Sequence, residues 1–135
     1  MIDQSNGYPL ISVCCLAYNH QTSITATLDG ILMQQGEFRL EILIYDDAST
    51  DRTQKIIKSY VQKYPDVIKP ILSKVNYYSQ GVAPSPKFNL SRAKGDYIAM
   101  CECDDRWTDV YKLQKQLTAF QKNPNTDLVA GHSTF

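Results

Sequence analysis

The chain has 135 residues, of which 43% are hydrophobic and 21% charged, and its 14 basic residues balance its 14 acidic ones. This length and composition suit one globular domain and exclude a disordered chain. A neutral chain lacks the electrostatic footprint of a nucleic-acid-binding protein, so we expect no nucleic-acid partner. No apolar run approaches the ~18 residues of a membrane span, and the polar start at residues 1–7 has no signal-peptide pattern. We therefore expect a cytosolic domain with no membrane span.

The first half of the chain predicts two strands that alternate with two helices. Residues 10–17 and 42–45 are apolar runs without clean alternation, which is typical of parallel strands covered on both faces. After each run, apolar residues recur with helical spacing on one face. These residues are Ile24, Leu28, Ile31 and Leu32, then Ile56, Ile57, Tyr60, Val61 and Tyr64. Asp51 and Gln54 have the spacing of a capping box at the start of the second helix.

The second half predicts a weaker strand over residues 67–72, a long loop over 73–86 and a strong strand over 97–101. A one-sided helix follows, and residues 127–130 are a candidate last strand. The apolar positions of that helix are Val110, Leu113, Leu117 and Phe120. The order of these elements indicates a single domain with an open, mostly parallel, Rossmann-like sheet flanked by helices.

The four cysteines are predicted to be reduced and buried. Cys14, Cys15, Cys101 and Cys103 lie in strongly apolar runs, and neither pair has the C-x-x-C spacing of a zinc site or a redox motif. A free thiol in such surroundings behaves as a small hydrophobic side chain. A metal or disulfide role is the weaker interpretation.

Polar and acidic residues follow three of the predicted strands. Ligands of open α/β sheets bind outside the carboxyl ends of the strands, so these segments form the candidate site. They are residues 17–20 after the first strand, residues 46–51 after the second and residues 102–107 after the third long strand. Two clusters of acids, on separate strands, are thus expected at one rim.

The acids after the third long strand predict a metal site. Like-charged carboxylates repel and raise one another's pKa, and a bridging cation relieves this repulsion. Mg²⁺ takes one or two carboxylates and completes its shell with waters and substrate phosphates, so few protein ligands imply a phosphorylated ligand. Asp105, together with Asp104 or Glu102, is therefore the candidate metal ligand. Asp47 is expected to be free to accept hydrogen bonds from a base or a sugar.

Structural roles compete with functional ones at these positions. Residues 49–51 are better explained as turn and N-cap residues of the second helix. A cap before Trp107 would explain Asp104 and Asp105, but three acids in four positions exceed what a cap needs, which favours function. Strand-end position favours function at Asp47 as well.

Four further residues near the rim have competing interpretations. Lys87 and Arg92 lie near the long loop and can meet phosphate oxygens, although most such basic residues are simply solvated. Tyr18 stands at a strand end and can stack on a base. His20 is interpreted as a solvent-exposed turn residue without a partner.

Three motifs, in this order, resemble those of family 2 glycosyltransferases. Residues 11–19 are similar to the opening strand of that family, and residues 42–51 are similar to its second strand and Asp-Asp-Gly-Ser-Thr-Asp turn. Residues 93–105 resemble the strand that leads into the D-x-D-type metal motif, and residues 106–116 resemble the helix after it. The resemblance runs from about Pro9 to the end of the chain.

This resemblance implies a GT-A fold, in which a nucleotide-binding sheet precedes an acceptor-binding part. It implies a nucleotide diphospho-sugar donor, usually a UDP-sugar, with Mn²⁺ or Mg²⁺, and inverting transfer to a glycan or lipid-linked sugar in bacterial polysaccharide synthesis. The resulting candidate substrate-binding residues are Leu16, Ala17, Tyr18, Asn19, Asp47, Lys87 and Asp104. Among them, Asp47 would hydrogen-bond the base, and Asp104 would contact ribose or the metal. The candidate metal ligands are Asp105, Asp104 and Glu102.

The chain departs from the family pattern at two places and lacks one role. Leu16 and Ala17 stand where the family usually has Pro-Thr, so a hydroxyl contact is lost, and Glu102 stands where an aspartate is common. The family's catalytic base lies beyond the acidic motif, and no residue up to Phe135 is a candidate for it. We therefore expect the donor half of a catalytic domain that works in the cytoplasm, at the inner face of the membrane in the longer protein.

Three other interpretations compete with a transferase. A module that binds nucleotide-sugar and metal without catalysis differs only in residues beyond Phe135. A receiver-like phosphoacceptor domain would place its acidic pair after the first strand, where Tyr18 and Asn19 stand instead. A dinucleotide-binding Rossmann domain would need a G-x-G-x-x-G motif after that strand, and none is present.

Overall fold

The structure is a computed structural model that describes residues 7–125, except for the side chains of residues 85 and 86. The candidate last strand over 127–130 lies outside the described residues. In chain order the strands and helices are β1 (Leu10–Ala17), α1 (Ile24–Leu32), β2 (Arg39–Asp46), α2 (Thr53–Lys63), β3 (Ile68–Leu72), β4 (Tyr97–Glu102) and α3 (Lys112–Lys122). Single turns of 3₁₀ or π helix lie between β3 and β4, at Tyr78–Gln80, Ser85–Asn89 and Leu90–Arg92. No helix in this part of the chain is long and apolar enough to cross a bilayer.

The four described strands form one parallel sheet in the order β3-β2-β1-β4. The predicted parallel, Rossmann-like sheet is thereby confirmed. Each crossover returns the chain to the same edge, so the carboxyl ends of all four strands lie side by side. At that edge Ala17 of β1 is in register with Asp46 of β2, and Leu16 is in register with Glu102 of β4.

Two element boundaries differ from their predictions. β2 begins at Arg39, three residues before the predicted run, because its early positions include polar residues that interrupt the apolar pattern. The capping-box prediction for α2 is wrong, since Gln54 Nε2 donates to the Asp46 carboxylate at 2.7 Å instead of reaching back to the backbone of residue 51. Asp51 still acts at this helix start, because its Oδ1 accepts the Thr53 N–H at 2.9 Å.

The three helices cover one face of the sheet and form the main apolar core with it. The fully buried aliphatic residues of that core include Val13, Ile24, Leu28, Ile31, Ile42, Ile44 and Ile57. Burying one such side chain stabilises the fold by about 1.5–3 kcal/mol. α1 also packs closely on the segment after β4, since a Cβ at Gly30 would lie 2.8 Å from the Trp107 carbonyl oxygen. This glycine therefore sets the distance between α1 and the acidic turn that precedes Trp107.

On the opposite face, the short turns between β3 and β4 cover β1 and β2. β4 is not covered there as its apolar sequence predicts, since Ile98 and Met100 are 46% and 56% exposed. The Phe88 ring stacks on the Tyr45 ring of β2 with centroids 4.6 Å apart and an interplanar angle of 4°. The Arg92 guanidinium donates to the carbonyl oxygens of Ile44 and Lys69 at 3.2 and 2.9 Å. Arg92 is thus a structural residue of this layer.

The four cysteines are free and buried, as predicted. Burial raises the pKa of the Cys14 thiol to about 11. Hydrogen bonding with the Cys101 and Cys103 thiols, together with burial, raises the pKa of Cys15 well above its ordinary value. The Cys14 and Cys15 thiols therefore stay protonated at neutral pH. All four cysteines serve as small buried side chains.

A buried acidic residue ties the other end of the sheet together. Glu41 of β2 is 3% exposed. Its carboxylate accepts the Ser12 hydroxyl of β1 at 2.6 Å, the Lys94 N–H at 2.7 Å and the Lys69 ammonium of β3 at 3.2 Å. The Gly95 N–H donates to the same Ser12 oxygen at 2.8 Å. This network joins three strands and the turn that leads into β4.

Candidate functional site

Three strand ends meet at the carboxyl edge of the sheet, as predicted. The Asp47 N–H donates to the Ala17 carbonyl at 2.9 Å, and the Cys103 N–H donates to the Leu16 carbonyl at 3.1 Å. The chain segments that follow β2 and β4 therefore continue on either side of the end of β1. This edge, called the rim below, consists of residues 16–20, 46–51 and 102–105.

The turn after β2 is held by the buried carboxylate of Asp46. Its oxygens accept the Ser49 hydroxyl and, at 2.9 Å, the Ser49 N–H. This supports the interpretation of residues 49–51 as turn and helix-start residues.

A second link joins the turn after β2 to the loop after β1. The Asn19 N–H donates to Ser49 Oγ at 2.9 Å, and Asn19 Oδ1 accepts the Thr50 N–H at 2.8 Å. Asn19 has a φ of 52°, a conformation that asparagine tolerates well. Asn19, a predicted substrate-binding residue, thus also joins the loop after β1 to the turn after β2 by hydrogen bonds. His20 has a partner too, contrary to expectation, because its Nδ1 accepts the Tyr18 N–H at 3.3 Å.

Ala48 is strained in the same turn, with a φ of 62°. A Cβ in this left-handed region costs energy that glycine avoids. We expect Ala48→Gly to raise the free energy of unfolding by about 0.5–1 kcal/mol, measured by urea denaturation. The matched control is Ala119→Gly in α3, which should lower it by about the same amount. Equal losses in the two variants would contradict the strain at Ala48.

Asp47 is not the free carboxylate that the sequence led us to expect. It is 1% exposed, and each of its oxygens accepts a backbone N–H. Tyr77 donates to Oδ1 at 2.8 Å, and Tyr78 donates to Oδ2 at 3.0 Å. Asp47 therefore holds the loop after β3 against the rim, a contact that sequence reasoning missed because nothing in residues 73–86 predicts the path of that loop.

Lys87 is exposed and adjoins the loop that Asp47 holds. Its ammonium lies 5.4 Å from the centroid of the Tyr77 ring and 5.3 Å from that of Phe88. Attraction to two ring faces orients this charge while leaving it accessible. An exposed cation thus lies over the ring of Tyr77, whose N–H is bonded to Asp47.

The three remaining candidates after β1 differ in exposure. Ala17 is fully buried, so its side chain lines no accessible surface. Leu16 is half-buried. Tyr18 is 43% exposed, and of these three it presents the largest side-chain surface to a ligand.

The acidic turn after β4 is fixed to α1 through its backbone. Ser23 Oγ donates to the Cys103 carbonyl at 2.9 Å, and the Thr27 hydroxyl donates to the Asp105 carbonyl. The Asp105 N–H closes the turn on the Glu102 carbonyl at 2.9 Å. On the side of the acidic turn these bonds use main-chain atoms only, so the acidic side chains remain available.

The carboxylates of Glu102, Asp104 and Asp105 are exposed and have no cationic partner in the described part of the chain. The two ion pairs found there join Lys69 to Glu41 and Lys115 to Asp109. Within residues 7–125, no group of three or more His, Cys, Asp or Glu side chains is arranged to hold a metal ion. One or two of these carboxylates nevertheless suit Mg²⁺ or Mn²⁺, which bind oxygen ligands and accept waters and phosphates as the others.

A cavity of about 730 Å³ lies at the opposite edge of the sheet. It is bordered by Met33 after α1, Tyr64 after α2 and Val67 before β3. None of the acidic or tyrosine candidates of the rim borders it. The candidate site is therefore identified by convergent strand ends and not by cavity size.

Comparison with protein families matches residues 12–133 to the model of "Glycosyl transferase family 2". The protein Rv1520 of Mycobacterium tuberculosis is 43% identical over 116 residues, which are 86% of this chain and 33% of that protein. The Escherichia coli enzyme WfaP, a UDP-Glc:alpha-D-GlcNAc-diphosphoundecaprenol beta-1,3-glucosyltransferase, is 36% identical over 80% of this chain and 40% of its own. The chain thus spans between a third and a half of the length of these relatives.

Two solved structures share the fold. S. aureus TarS 1-349 in complex with UDP-GlcNAc is 26% identical, with a TM-score of 0.69, over 84% of this chain and 32% of its own. The mannosyltransferase PcManGT of Pyrobaculum calidifontis, in complex with GDP-Man and Mn²⁺, is 22% identical, with a TM-score of 0.72, over 85% of this chain and 33% of its own. The fold is that of the GT-A glycosyltransferases, and the chain belongs to glycosyl transferase family 2.

Proposed function

We propose that this chain is the donor-binding part of a glycosyltransferase, which transfers a sugar from a nucleotide diphospho-sugar to an acceptor hydroxyl with inversion. The observation that carries the proposal is the meeting of three strand ends at one rim in a member of this family. Asp47 and Lys87 adjoin one side of the rim, and the exposed acidic turn lies on the other. A ligand with a polar base and a charged diphosphate matches both sides.

A uridine nucleotide is the donor class that the relatives favour. The printed name of WfaP specifies UDP-Glc, and TarS was solved with UDP-GlcNAc. PcManGT was solved with GDP-Man, so a guanosine nucleotide is the alternative to test. WfaP uses a diphosphoundecaprenol-linked sugar as acceptor, and we propose an acceptor of that lipid-linked class or a glycan.

Asp105, with Asp104 or Glu102, would hold Mn²⁺ or Mg²⁺ at the donor diphosphate. Such an ion supplies Lewis acid stabilisation of the charge on the departing nucleoside diphosphate. Lys87 would add a second positive charge for the phosphates, and Asp104 would be the residue that also contacts ribose. Leu16, Tyr18 and Asn19 would border the nucleotide, with Tyr18 offering its ring to the base. The catalytic base is expected beyond Phe135.

The test is a calorimetric titration of the purified chain with UDP, in the presence and in the absence of Mn²⁺. We expect binding that Mn²⁺ strengthens by at least about tenfold, because the ion bridges the acidic turn and the diphosphate. GDP and dTDP titrations compare the bases, and circular dichroism shows that the chain is folded. A folded chain that binds none of the three nucleotides with Mn²⁺ would overturn the proposal.

A further inference from the structure

Tyr78 exposes an unusually large aromatic surface beside the rim. Its side chain is 77% exposed, more than any other large apolar or aromatic side chain in the described part of the chain. Single exposed apolar residues are common on proteins and need no explanation by themselves. Tyr78 differs because of what its backbone is bonded to.

The backbone around Tyr78 is fixed at both ends of its turn. The Tyr78 N–H donates to Asp47 Oδ2, and the Tyr78 carbonyl accepts the Gly81 N–H at 3.0 Å. Gly81 closes the turn with a φ of 78°, which glycine adopts without strain. The Val82 N–H also bonds the Tyr77 carbonyl at 3.0 Å. A buried carboxylate is costly unless hydrogen bonds satisfy it. Both oxygens of the Asp47 carboxylate accept their backbone hydrogen bonds from this loop.

The two adjacent tyrosines face different surroundings. The Tyr77 ring packs against Phe88 with centroids 5.2 Å apart. The Tyr78 ring has no such ring contact among the described residues, and it stays exposed. On the other side of Asp47, the exposed Tyr18 follows Ala17, whose carbonyl accepts the Asp47 N–H. Two exposed rings therefore adjoin one buried aspartate at the rim.

We propose that Tyr78 is a contact residue for the base of the donor nucleotide, and that Asp47 is its positioning residue. The inference rests on the proposed function and identifies a base-contacting residue that the motifs do not contain. A base offers a flat face to any aromatic ring, and such stacking accounts for roughly 5- to 150-fold in affinity per base. The loop of residues 77–81 thus forms one wall of the nucleotide site, and its distance from the rim is set by the Asp47 carboxylate.

The test compares UDP with pyrophosphate, which shares the diphosphate and lacks the base. Both are titrated in Mn²⁺ into the wild type, Tyr78→Ala and Tyr78→Phe, with Tyr111→Ala as the matched control. Tyr111 is 50% exposed and lies directly before α3. We expect Tyr78→Ala to weaken UDP binding about tenfold and to leave pyrophosphate binding unchanged. Tyr78→Phe and Tyr111→Ala should bind both ligands as the wild type does.

Two results would overturn the inference while leaving the proposed function intact. Unchanged UDP binding by Tyr78→Ala would show that the ring makes no contact with the base. Equal weakening of UDP and pyrophosphate would show that the substitution acts through the loop. A wild type that binds no nucleotide would instead overturn the proposed function, and this inference with it.

Discussion

Replacing Asp105 with alanine is expected to abolish the Mn²⁺-dependent part of UDP binding. Asp105 is exposed, and within the described residues its carboxylate makes no hydrogen bond or ion pair, so the fold does not depend on it. In the proposed site Asp105 would hold the metal at the diphosphate, so its loss should weaken UDP binding in Mn²⁺ by the factor that Mn²⁺ supplies, at least about tenfold or ~1.4 kcal/mol. Calorimetric titrations of UDP with and without Mn²⁺ measure this difference directly.

Two controls separate the metal site from a general loss of negative charge. Asp66→Ala removes the same charge from an exposed position before β3, at the opposite edge of the sheet, and should bind UDP as the wild type does. Asp105→Asn keeps the size of the side chain and removes its charge, so it should lose nearly as much as alanine. If Asp105→Ala binds UDP in Mn²⁺ as tightly as the wild type does, other residues hold the metal.

The sheet was predictable because its central strands, β1 and β2, are buried on both faces. β1 and β4 have almost uninterrupted apolar sequences, and the helices between the strands repeat apolar residues on one side. These are local patterns that report burial directly. The start of β2 was missed because Arg39 and Glu41 hide its apolar pattern, and the burial of Glu41 depends on partners 28, 29 and 53 residues away in sequence.

The rim was predictable in outline and not in its contacts. Parallel strands with acidic ends necessarily bring those ends to one edge, which places Asp47 near the turn of Asp104 and Asp105. The sequence does not reveal that the backbone N–H groups of Tyr77 and Tyr78 donate hydrogen bonds to the Asp47 carboxylate. Main-chain donors carry no residue-specific signal, and the path of a long loop is set by tertiary packing.

Glu41→Ala is expected to be the most destabilising single substitution among those considered. It leaves the buried Ser12 hydroxyl without its acceptor, removes the acceptor of the Lys94 N–H and leaves a small cavity between strands. An unsatisfied buried polar group costs about 1–3 kcal/mol, so the free energy of unfolding should fall by about 3 kcal/mol in all. Urea denaturation at pH 7 measures this fall in the free energy of unfolding. Glu37→Ala, which removes an exposed acid just before β2, should change stability by less than about 0.5 kcal/mol.

The pH dependence of stability distinguishes an ionised Glu41 from a neutral one. Burial by itself raises the pKa of Glu41, but the bonds from the Ser12 hydroxyl, the Lys94 N–H and the Lys69 ammonium outweigh it and hold the pKa below its ordinary value. The folded protein therefore binds this proton less readily than the unfolded chain. The resulting stabilisation is fully present above the ordinary glutamate pKa of about 4.3 and is lost as the pH falls through the lower pKa of the folded state.

Glu41→Gln cannot ionise, so its stability should lack this component. The difference in unfolding free energy between wild type and Glu41→Gln should be largest at neutral pH and should shrink as the pH falls below about 4. Subtracting the two curves cancels the titration of the other carboxylates, which both proteins share. A difference that instead grows as the pH falls from 7 to about 4 would mean that Glu41 is protonated in the fold, and a difference that stays constant would mean that folding does not shift its pKa.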